Sequence, residues 1–126
     1  MAFKRVFDCS QSGELTYNTP ARKDSRYGNE LLIRFTGDTL KSAGIKPGDR
    51  CMVEVDDEEN LGRIYNNTQL GWLIKPTQPG KEIYKLRIAW KPDCGFPKAT
   101  RQRKLEILQS GDGEIIFEMP QEGDAV

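Results

Sequence analysis

Leu31-Leu32-Ile33-Arg34-Phe35-Thr36-Gly37-Asp38-Thr39-Leu40-Lys41-Ser42-Ala43-Gly44-Ile45-Lys46-Pro47-Gly48-Asp49-Arg50-Cys51-Met52-Val53-Glu54-Val55 is the stretch whose reading decides the fold. It opens as a short apolar strand (Leu31, Ile33, Phe35) and closes as an alternating one (Cys51, Val53, Val55). A period of two places successive side chains on opposite faces of a sheet. Between the strands the residues spell a one-turn helix near Asp38 to Ala43. Thr36 or Asp38 can cap its orphan amides, and Gly44 can take the left-handed conformation at its end. In Lys46-Pro47-Gly48-Asp49, proline fixes one φ and glycine supplies the positive φ of a type II turn. These local signals agree with one another, which is the mark of a real supersecondary unit.

Working outward, Leu61, Arg63-Ile64-Tyr65 and Gly71-Trp72-Leu73-Ile74-Lys75-Pro76 read as returning strands, with the acidic run Asp56 to Asn60 as a hairpin tip. Thr77-Gln78-Pro79-Gly80-Lys81 is a break, because Pro and Gly interrupt both ladder and helix. Beyond it Ile83, Lys85 to Trp90, Lys104 to Leu108 and Glu114 to Met119 read as strands, with Asp112-Gly113 at a hairpin tip. The expected fold is therefore mainly β, a small β-barrel with one short helix. Residues 1–30 read as a turn-rich, partly ordered arm after a brief Phe3 to Phe7 strand signal, with one more short strand at Leu15 and Tyr17. Residues 31–120 read as a single barrel-like domain and 121–126 as a tail. The order strand, connector, strand, turn, strand ending in proline occurs twice, in 31–76 and 83–120. That admits a fused pair of half-barrels; the alternative is chance, since alternating strands resemble one another.

The unit from Leu31 to about Pro76 resembles the AbrB/MazE-like swapped-hairpin DNA-binding domains. That resemblance implies a barrel of the AbrB/double-psi type, a homodimer or a pseudo-dimeric monomer, and DNA contact through basic residues near the strand–helix connection. Arg34, Lys41, Lys46 and Arg50 are the basic residues at the matched positions.

Bulk properties bound the function. A chain of 126 residues buries about two thirds of its unfolded surface and can fold alone. No apolar run approaches the roughly 18 residues of a membrane helix. The N-terminus lacks an apolar signal region, so the expectation is a cytoplasmic protein with no membrane partner. Cys9, Cys51 and Cys94 are widely separated and the chain has no histidine, which argues against structural zinc. No metal or other cofactor is expected. Without histidine or a paired acid and base, catalysis is not expected either. Asp56-Asp57-Glu58-Glu59 reads as a solvated turn, Cys51 as a core residue of its strand, Cys94 as a bystander thiol, and Trp72 and Trp90 as core.

Net charge is zero, yet charge is segregated. From Lys75 to Lys104 nine bases face two acids, a net of plus seven; from Asp49 to Glu59 six acids face Arg50, a net of minus five. Such a chain can bind a polyanion with one surface. Lys98, Arg101, Arg103 and Lys104 are the densest basic cluster, with Thr100 and Gln102 as further phosphate donors. The functional expectation is a small nucleic-acid-binding protein, DNA before RNA, of the kind found in transcription or mobile-element regulation. The alternative is a protein-binding adaptor or inhibitor that uses its acidic face and strand edges.

Overall fold

The computed structural model describes residues 15–21, 28–67, 69–77 and 82–120. The proposed Phe3 to Phe7 strand, Cys9, most of the break at 77–81 and the tail at 121–126 lie outside them. The elements run β1 (Leu15–Asn18), β2 (Glu30–Thr36), α1 (Gly37–Ala43), β3 (Arg50–Asp56), β4 (Leu61–Asn67), β5 (Trp72–Leu73), β6 (Lys75–Pro76), β7 (Ile83–Ala89), β8 (Arg103–Lys104), β9 (Glu106–Gly111) and β10 (Glu114–Glu118). No helix among the described residues is long and apolar enough to cross a membrane. The mainly β class with one short helix is what the alternation in the sequence implies.

Among the described residues the strands form two five-stranded antiparallel sheets rather than one continuous barrel ladder. The first has the order β6-β7-β2-β1-β8 and the second β5-β3-β4-β10-β9. Chain passes directly between the sheets at two corners. Ile74, 2% exposed, separates β5 from β6, and Leu105, 1% exposed, separates β8 from β9. At each corner a buried apolar side chain anchors the bend. Alternation then fills one core between the sheets: Leu15, Tyr17, Leu31, Ile33, Phe35 and Leu86 from the first, Cys51, Ile64, Ile115 and Phe117 from the second. Removing this apolar surface from water is the main favourable term in holding the layers together.

The central unit forms as its residues dictate. Thr36 is the N-cap of α1 and its Oγ1 accepts a hydrogen bond from the Thr39 amide at 3.3 Å, while Gly44 at φ 78° ends the helix. Thr39, Leu40 and Ala43 turn inward and close the core. The Lys46–Asp49 turn forms with Gly48 at φ 93°, and the Asp49 carboxylate accepts from the Lys46 amide at 2.9 Å. Gly48 also donates to the Ile74 carbonyl and Ile74 to that of Asp49, both at 3.0 Å, so this turn is tied to the first corner. The Gly113 amide donates to the Ala43 carbonyl at 2.6 Å, joining α1 to the β9–β10 turn.

The second connector, residues 90–102, contains no helix. It carries Phe96 into the core, edge-on to Tyr17 with ring centroids 5.2 Å apart. Trp90 packs against that core and its Nε1 donates to the Phe96 carbonyl at 2.8 Å. Trp72 departs from the core expectation: it is 37% exposed, because β5 is a short edge strand with no neighbour on its outer side. Cys51 is fully buried as expected, and burial, helped by the nearby Asp49 carboxylate, pushes its thiol up to about 12.

Candidate nucleic-acid interface

In an antiparallel ladder, residues directly opposite one another point to the same face. On β2 the core side is taken by Leu31, Ile33 and Phe35, so Arg34 faces outward. Its register partners set a row. Lys75 lies opposite Lys85, Lys85 opposite Arg34, Arg34 opposite Thr16, and Thr16 opposite Lys104. One line of side chains thus crosses all five strands of the first sheet, about 19 Å at the usual strand spacing. Four of its five members are cations. In the next row Arg87 lies opposite Leu32 and Leu32 opposite Asn18.

Among the described residues, little on this face neutralises that charge. Arg87 pairs with Glu30 at 3.5 Å, and Arg34 Nη1 donates to the Asn18 side-chain oxygen at 2.8 Å. Among the described residues, Lys75, Lys85 and Lys104 have no acidic partner. Like charges directly opposite in a sheet are destabilising, and here Lys75, Lys85 and Arg34 sit in consecutive register.

The outer face of the second sheet has the opposite sign. It presents Glu54, Asp56, Glu106, Glu114 and Glu118. Arg63 reaches Glu54 at 3.4 Å and Glu114 at 2.5 Å, and lies 4.3 Å over the Tyr65 ring. The Tyr65 hydroxyl donates to Glu54 at 2.8 Å, and this bond raises the phenol's pKa. Both faces are thus partly satisfied from within, but among the described residues Lys75, Lys85 and Lys104 of the basic one have no acidic partner.

The residues singled out from the sequence divide among three places. Arg34 and Lys104 stand in the basic row, and Arg50 stands at its margin, where its Nη1 donates to the Gly71 carbonyl at 3.2 Å. Lys41 is exposed on α1 and Lys46 on the following turn, and no register relation connects them to the row. Lys98 and Arg101 are exposed on the second connector. Arg101 borders the face, because its neighbour Gln102 accepts from Thr16 at 3.0 Å. Arg103 turns the other way, opposite Tyr17 on the core side, with its guanidinium 6.0 Å from that ring. The Lys98 to Lys104 cluster is therefore split by the pleat. Burial raises the Tyr17 phenol's pKa, and Arg103 partly counters it.

No family model, curated protein or solved structure matches the chain.

Lys75, Lys85 and Arg87 belong to this face, and Trp72, on β5 of the second sheet, borders it; none of the four is among the site residues that the sequence singles out. The shared parity of Lys85 and Arg87 was readable. Their alignment with Arg34 and Lys104 depends on which strands pair, and no local pattern specifies that. Among the described residues, no group of His, Cys, Asp or Glu is arranged to hold a metal.

Proposed function

We propose that this protein binds nucleic acid by laying a phosphate backbone across the outer face of its first sheet. Arg34, Lys75, Lys85, Arg87 and Lys104 supply the cations. The observation that carries the reading is the cross-strand row, in which three bases occupy consecutive register with no acid opposite them among the described residues. The resemblance of residues 31–76 to DNA-binding domains supports the same class of ligand, through a partly different set of residues. DNA is the first expectation and a regulatory role the corresponding biology.

The test is binding of labelled DNA as a function of salt. Five neutralised phosphates give a slope of log affinity against log salt of about −4.5 for duplex and about −3.5 for a single strand. Lys85→Gln and Lys104→Gln should each make the slope shallower by roughly 0.7 to 0.9, with Lys41→Gln and Lys46→Gln leaving it unchanged. A folded protein that binds neither DNA nor RNA at low salt would remove this function and leave the protein-binding alternative.

A further inference from the structure

At the β5 margin of the basic face the two sheets meet in a groove of about 280 Å³, lined by Arg50, Trp72, Leu73, Lys75, Lys85 and Arg87 together with the Gly71 backbone. Four of these side chains are cations and none is an acid. The volume lies just below the roughly 300–1,000 Å³ typical of small-ligand sites, which suits one planar ring and not a larger ligand. Trp72 is 37% exposed there, and its indole has no ring contact, cation–π contact or hydrogen bond among the described residues. Trp90, by contrast, is held to the core by its N–H. A Cβ on Gly71 would come within 2.3 Å of the Cys51 carbonyl oxygen, so the chain entering β5 runs too close to β3 for any side chain at this position. The same approach lets the Gly71 carbonyl hold the Arg50 guanidinium at 3.2 Å.

An unpartnered indole amid four cations matches a ligand that is flat, aromatic and anionic. We infer that this groove seats one unpaired nucleobase, stacked on Trp72, of a single strand whose phosphates continue along the row of Lys85, Arg34 and Lys104. The inference rests on the nucleic-acid reading above and adds a preference for single strands. A paired base keeps both faces in its own stack and has none to offer Trp72, whereas an unpaired base is free to stack on an aromatic side chain in a basic groove. A purely apolar partner would use Leu70 and Leu73 as well, 63% and 38% exposed, but would leave Arg50, Lys75 and Lys85 without an acidic partner among the described residues.

The test uses the whole chain with a thymidine homopolymer strand, the matching dA·dT duplex and free thymidine monophosphate. The single strand should quench tryptophan emission, the quench should vanish in Trp72→Phe, and the duplex should bind without it. Trp72→Ala should weaken single-strand binding about 5- to 150-fold and change duplex binding less than twofold, while Trp72→Phe retains most of the affinity. Circular dichroism checks that both variants stay folded. Unchanged emission at saturating single strand, or an equal loss for both DNA forms in Trp72→Ala, would overturn the stacking site while the basic-face function stands. Quenching by the free nucleotide as strong as by the strand would also overturn it. Loss of all binding to both DNA forms by the unsubstituted protein would instead refute the function beneath it.

Discussion

Gly48 adopts φ 93° with no heavy atom within 4 Å of where a Cβ would stand, so its requirement is conformational and not a matter of space. Gly48→Val should cost on the order of 1 kcal/mol or more, because a β-branched residue fits the left-handed region poorly. Thermal melts would show this as a fall of roughly 4 °C or more. Gly48→Asn should lose less, since asparagine tolerates that region; equal stability of the valine variant would refute the turn. Cys51 gives a pH test with a definite sign. Its thiol is held protonated in the fold to about 12, against 9.0 for an ordinary thiol. Between those values the unfolded chain binds fewer protons than the folded one, so stability falls as pH rises. The Cys51 contribution is therefore fully present below pH 9 and lost progressively above it, and Cys51→Ala should flatten the alkaline side of a stability-against-pH curve.

At the scale of elements, the two corners carry the architecture. Leu105 and Leu108 lie three residues apart on the same bent segment, yet one is 1% exposed at the sheet crossing and the other 55% exposed at the irregular β9–β10 pairing. Leu105→Ala should cost about 2–5 kcal/mol through the cavity it leaves, and Leu108→Ala within about 0.5 kcal/mol; denaturant melts of both would check the contrast. This is also where sequence reading reached its limit. The helix and its caps, the Gly48 turn, the Asp112–Gly113 hairpin and most strands follow from contacts within a few residues, so they were readable. The change of sheet at Ile74 and Leu105 was not, because a buried corner residue in an alternating run looks like any strand residue. The core expectation for Trp72 fails for the same reason: local pattern shows that a side chain belongs to a strand, but not that its strand lies at the edge of a sheet.

For the whole molecule, the consequence of the two sheets is a neutral protein with a basic front and an acidic back. The sheets pack about 10 Å apart, and with long side chains on either side the two charge layers stand roughly 20 Å apart. That distance exceeds the Debye length at physiological salt, about 8 Å, and falls inside the roughly 30 Å that applies at 0.01 M. The acidic back should therefore oppose a polyanion on the front only when salt is low, so that log affinity flattens at the low-salt end instead of rising linearly. Glu106 and Glu118 are exposed and directly opposite one another on that back face, where like charges are mutually destabilising. Replacing both by glutamine should strengthen DNA binding at 0.01 M, leave it unchanged at 0.15 M, and if anything raise thermal stability. Anisotropy titrations at the two salt concentrations decide the matter. An equal gain at both would mean that the back face acts at short range, and that the separation of charge by sheet does not govern binding.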